Sequence, residues 1–197
     1  MSKAERRVTR EDILPMEQFG AERKERRRAL MAAKARRRVP VGPHATFYFE
    51  NYDTMWLQIH EMLFIEQGGE EQIADELSAY NPLIPQGLEL VATLMFEVPD
   101  KARRQALLSQ LGGVEETVTL KIGEHTVRAE AEKDVDRTTA EGKASSVHFL
   151  HFPLTEEQAT AFKSGEGEVI LAIEHPAYRH MAVLPGETRA ELSGDLE

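Results

Sequence analysis

The chain has 197 residues, 41% of them hydrophobic and 29% charged, with a net charge of −10 and no cysteine. A chain this long can bury a core without help from metal or disulfide, and without cysteine its own residues make no disulfide, zinc knuckle, thiol catalyst or iron–sulfur ligand set. No apolar run reaches the roughly 18 residues of a membrane-spanning helix and none follows the first seven residues, so a cytoplasmic protein with no secretory signal or membrane attachment is expected.

The first predicted element is a long basic helix. Pro15 suits a first helical turn, because its fixed φ is helical and its missing N–H is not needed there. The helix is expected to run from there towards Arg38, with Gly20 as a weak point and Leu30, Met31 and Ala33 to Ala35 docking its second half. Residues 1–40 hold 13 Lys and Arg against 6 Asp and Glu, a balance of +7, while the remaining residues carry −17. This arm reads either as an anion-binding arm or as a helix paired with its own acidic body. A body of that charge repels a phosphate backbone, so nucleic acid is not the expected partner. No large apolar side chain occupies residues 21–28, which leaves an interfacial helix without its apolar face.

The Val39-Pro-Val-Gly-Pro43 stretch ends the helix. A strand over 46–50 follows, and Asp53 is placed as N-cap of the next helix, over 54–67. Met55, Trp56, Leu57, Ile59, Met62, Leu63, Phe64 and Ile65 cover most of its circumference, which predicts a helix central to a core or a subunit interface. Gly68-Gly69 stops it, and a shorter helix begins near Glu70. Asn81-Pro82 and Ile84-Pro85 enforce an extended connector. Alternation over 88–98 gives the clearest strand, after which Asp100 caps a helix closed by Gly112-Gly113. A hairpin over 117–122 and 126–131 turns at Gly123-Glu124, and a polar loop, 133–145, leads to a strand over 146–152. Thr155 and Gln158 form a capping box. Two last strands, 168–174 and 178–184, flank His175-Pro176, and the final twelve residues read as a disordered tail.

Hairpin-joined strands separated from helix-rich stretches predict an α+β fold with a mostly antiparallel sheet, several helices and the long basic N-terminal helix. The expected organisation is a basic helical segment over 1–38, a single α+β domain over 39–185 and a tail over 186–197.

Phosphate loops, dinucleotide fingerprints, nucleophile elbows and H-E-x-x-H pairs are all absent. Gln58 and Glu61 share one face of the apolar helix, and a buried Glu61 would serve as a base or metal ligand. His148 and His151 have opposite strand parity and cannot share a site without a bulge. His148 with His175, completed by Glu61, would make a metal site of two histidines and a carboxylate. Each of the three also reads as an ordinary structural or exposed residue. No cofactor is predicted, and a divalent metal is the one the sequence leaves open. Glu130, Glu132, Asp134 and Asp136 would align on an extended backbone, as a hard-cation site or as a solvated strand end.

Asp12-Ile-Leu-Pro15, the Arg36-Arg37-Arg38-Val-x-Val-Gly42 run, Phe49-Glu-Asn-x-Asp-Thr54, Gln58-x-x-Glu-Met-Leu63, Tyr80-Asn-Pro-Leu-Ile-Pro85 and His175-Pro-Ala-Tyr178 together resemble a bacterial family of about this length, catalogued only as a domain of unknown function. The likeness spans residues 8–184. It implies no activity to carry over, but members of that family are often encoded beside rubrerythrin-like proteins and iron–sulfur oxidoreductases, which implies a link to redox or peroxide defence. Two functions follow as expectations. One is a non-catalytic accessory or protein-binding module that docks on a protein partner or on itself, with Arg36, Arg37, Arg38 and Gln58 as binding residues. The other is a small metal-dependent enzyme built on Glu61, His148 and His175.

Overall fold

The computed structural model describes residues 2–132 and 143–197. After a short 3₁₀ turn, α1 (Met16–Arg36) leads into β1 (Arg38–Val41) and β2 (Ala45–Phe49). Two helices follow, α2 (Tyr52–Glu66) and α3 (Gly69–Tyr80), and then β3 (Glu89–Phe96) and α4 (Lys101–Leu108). The second half contains β4 (Val118–Ile122), β5 (His125–Arg128), β6 (Glu130–Ala131), β7 (Val147–Pro153), α5 (Glu156–Ser164), β8 (Val169–His175), β9 (Tyr178–Val183) and α6 (Gly186–Ser193). The fold is α+β. No helix among the described residues is long and apolar enough to cross a membrane.

Among the described residues all strand pairing is antiparallel and forms two sheets, in the orders β1-β2-β3-β7-β6 and β5-β4-β8-β9. Strand alternation assigns the five-stranded sheet two buried faces. Phe47, Leu90, Leu94, Leu150 and Phe152 share one core with Leu120, Leu171 and Ile173 of the other sheet. Val91 and Phe149, on the opposite face, pack with Met55, Ile59 and Leu63 of α2 and with Leu83 and Ile84. The five-stranded sheet is therefore the middle layer, between the second sheet and the helices.

Asn51, rather than Asp53, caps α2, because its carboxamide accepts from Thr54 N–H at 3.0 Å while Thr54 Oγ accepts from Asn51 N–H at 2.9 Å. The helix is as central as its apolar circumference predicts, with Ile59 and His60 fully buried.

Other details also differ from expectation: Asn81–Leu83 is a 3₁₀ turn rather than an extended connector, and α4 ends at Leu108, short of Gly112-Gly113. Residues 38–41 form a strand, and Pro40 is tolerated because β1 is an edge strand that needs no N–H there. The long helix docks by its first half: Phe19 packs against Trp56, His60 and Phe64, while Met31 is 66% exposed. An aromatic cluster outweighs the small alanines of the second half. The final twelve residues are an ordered part of the fold. They form α6, bury Leu192 and Leu196 in the inter-sheet core, and engage Arg37 through Asp195. Their polar composition hides two leucines and one acidic partner for a buried cation.

Candidate functional site

The expected metal ligands are not brought together. Glu61, on α2, accepts from Arg23 Nη2 at 2.7 Å and Nε at 3.0 Å, with Arg27 at 3.9 Å. The Arg23 guanidinium holds its carboxyl below the ordinary carboxylate range. His148 lies on the other side of the middle sheet. It is fully buried, bonded to the Ser145 carbonyl at 2.9 Å and 3.5 Å from Glu115. His175 sits at the end of β8, where Nδ1 accepts from Ala177 N–H and Nε2 faces the Gly112 carbonyl at 3.3 Å. A β-sheet thus stands between Glu61 and His148. Among the described residues no group of three or more His, Asp or Glu side chains could hold a metal ion. Asp134 and Asp136 of the alternating acidic run lie outside the described residues.

The three consecutive arginines are engaged within the chain. Arg36 pairs with Glu191 at 2.9 Å, and Arg38 with Glu97 at 3.6 Å. Arg37 is 2% exposed and donates to the Phe49 and Glu50 carbonyls at 3.0 Å and to the Asp195 carboxylate. Farther up α1, Arg26 pairs with Glu22 and lies over the Trp56 ring.

Gln58 faces a cleft of about 440 Å³ between α2 and the helical side of the middle sheet. Sheet register explains its floor. Tyr48 pairs with Thr93 and Thr93 with Phe149, while Met95 pairs with Val147 in the next row, so five side chains form one continuous patch. Met55 of α2 and Leu83 of the Asn81-Pro-Leu83 turn make the opposite wall. Gln58 Nε2 approaches Tyr80 Oη at 3.5 Å on that side, and Lys34 stands exposed at the rim.

The polar centre of the cleft is Glu50, 9% exposed and one residue past β2. Its N–H bonds the Val91 carbonyl at 2.8 Å, which fixes the backbone against β3. Its two carboxylate oxygens accept from Thr54 Oγ at 2.6 Å and Thr93 Oγ at 2.8 Å. Among the described residues no lysine, arginine or histidine forms an ion pair with it, since Arg37 reaches only its main-chain carbonyl. A carboxylate this buried is ordinarily paired with a cation, because hydroxyl bonds offset only part of its lost hydration.

Glu50, Thr93, Tyr48 and Lys34 were not among the candidate residues of the sequence. The available signal was the Phe49-Glu-Asn-x-Asp-Thr54 run, which puts an acidic residue directly behind an apolar strand.

A larger cavity of about 660 Å³ lies below the start of α1, lined by Ile13, Leu14, Met16, Leu63 and Phe64. Of its charged residues Arg10 and Glu70 pair at 2.6 Å and Glu17 is exposed, so it holds no buried charged group comparable to Glu50.

The family described as "Protein of unknown function (DUF3501)" matches residues 7–196. The chain belongs to that family. A crystal structure of a novel protein of unknown function from Burkholderia pseudomallei K96243 is similar over 96% of this chain and 99% of that one, at 36% identity and a TM-score of 0.89. No curated protein matches the chain by sequence.

Proposed function

We propose that this protein is a non-catalytic accessory protein that binds a small ligand in the cleft between α2 and the middle sheet. The observation that supports this reading is the buried Glu50 carboxylate, oriented by two threonines in a mostly apolar cleft of about 440 Å³. A concave apolar site with a few convergent polar groups is the usual form of a small-molecule site. Binding is favoured over catalysis because, among the described residues, only neutral hydroxyls bond the Glu50 carboxylate and no second titratable side chain bonds that carboxylate as an acid–base partner. A part in redox or peroxide defence would operate through what the protein binds, since a chain without cysteine has no thiol to cycle.

The test is a ligand-observed NMR screen of small amines, carboxylates and alcohols against the wild type and Val147→Phe, which fills the cleft. Compounds that bind the wild type and lose at least tenfold in affinity for the variant support the reading. A screen in which nothing binds, or in which every binder tolerates the filled cleft, overturns it.

A further inference from the structure

We infer that the cleft selects an organic cation, an aliphatic ammonium or amine whose charged end meets Glu50 and whose apolar body lies along Met95, Val147 and Phe149. This rests on the cleft being a ligand site and adds the chemical class. The two threonine hydroxyls each occupy one oxygen of Glu50 and hold the carboxylate plane in place. Each oxygen retains acceptor capacity, because an ionised carboxylate has about four lone-pair sites. Both threonines are themselves fixed: Thr93 by the pairing of β3 with β2 and β7, and Thr54 by the cap of α2. The acceptor is therefore oriented before any ligand arrives, which lowers the ordering cost of binding.

The charges around it agree. Arg37, the nearest buried cation, spends its donors on the Phe49 and Glu50 carbonyls and on Asp195, while Glu191 lies 3.6 Å away. Lys34 is on the exposed face of α1 at the rim and is not bonded to Glu50. A bound ammonium would supply the charge-assisted partner that the protein does not. An anion would have to displace hydroxyl donors from a carboxylate and face it directly. A neutral alcohol gains the apolar contacts and at most one hydrogen bond without charge pairing.

Isothermal titration with hexylammonium, hexanoate and 1-hexanol tests this. The expected result is binding of hexylammonium at least tenfold tighter than of either other compound. Glu50→Gln should lower hexylammonium affinity at least tenfold while hexanol affinity stays within about twofold. If that variant fails to fold, Lys34→Glu provides the second reading: removing the rim cation should tighten hexylammonium binding and leave hexanol unchanged. Hexanoate or hexanol binding as tightly as hexylammonium, or a hexylammonium affinity indifferent to both substitutions, overturns the cation class but leaves the cleft as a ligand site. Failure of all three probes, together with an NMR screen without cleft binders, overturns both.

Discussion

Two histidines, one on α2 and one on β7, carry opposite electrostatic consequences. His60 is completely buried, with Nδ1–H donating to the Trp56 carbonyl at 2.7 Å and Nε2 accepting from Leu14 N–H at 3.0 Å. Those two bonds assign the neutral ring, and burial lowers its pKa. His151 lies between Glu89 at 2.9 Å and Glu132 at 3.4 Å, and the bond to Glu89 raises its pKa. Folding therefore disfavours the proton at His60 and favours it at His151. The His60 contribution to stability is present above the unfolded imidazole value of about 6.5 and is lost as pH falls below it. The His151 contribution is complete below about 6.5 and disappears as pH rises through its raised value. NMR titration should find His151 ionising above 6.5 and His60 below. His151→Gln should cost a few tenths to about 1 kcal/mol at pH 5.5 and close to nothing at pH 9. Equal loss at both pH values would show that the ion pairs contribute nothing.

At the scale of elements, the junction of β1 with β9 depends on one turn. Gly42 has φ +72°, and a Cβ there would lie 2.5 Å from the His180 ring and 2.7 Å from Tyr178 Oη. That hydroxyl accepts from the His44 and Ala45 N–H groups and donates to the Val41 carbonyl, so it cannot move aside without leaving buried main-chain groups unpaired. Gly42→Ala combines left-handed strain of about 1–2 kcal/mol with this clash, and should destabilise by about 2 kcal/mol or more in chemical denaturation. An unchanged midpoint would mean that the turn relaxes freely. Elements of this kind were partly legible in the sequence. Helix α2, strand β3 and the capping box of α5 are specified locally, by apolar periodicity and by Thr155 and Gln158. The Glu50 cleft is not, because it joins Tyr48, Thr93 and Phe149 from three strands with Gln58 from a helix, and sheet register alone brings them side by side. The sequence puts Gln58 and Glu61 on one face of the helix and assigns the site chemistry to Glu61, whose partners on α1 are 34 and 38 residues away.

The whole molecule is closed by its two ends. Arg37, at the exit of α1, bonds the main chain after β2 and the carboxylate of Asp195, while Arg6 donates to the Asp195 and Pro85 carbonyls at 2.7 and 3.0 Å. Glu197 N–H bonds the Gly87 carbonyl at 2.9 Å, and Leu192 and Leu196 enter the inter-sheet core. Burial alone would push the Asp195 carboxyl up, and its pKa does stay raised although the Arg37 charge pulls the other way. Such a pair adds little net stability over an apolar pair, but breaking it strands a guanidinium that is 2% exposed. Asp195→Ala should therefore cost about 3–5 kcal/mol, more than any exposed ion pair of α1, and Glu191 at 3.6 Å can recover only part of that. Ending the chain at Pro185 adds the loss of both leucines and should abolish a cooperative thermal transition. Arg10→Ala, which breaks the exposed pair with Glu70, should change stability by less than about 1 kcal/mol. Differential scanning calorimetry of the three variants separates the possibilities. If the shortened chain melts as the wild type does, the last twelve residues are an appendage and Arg37 is satisfied by the two carbonyls of β2's exit alone.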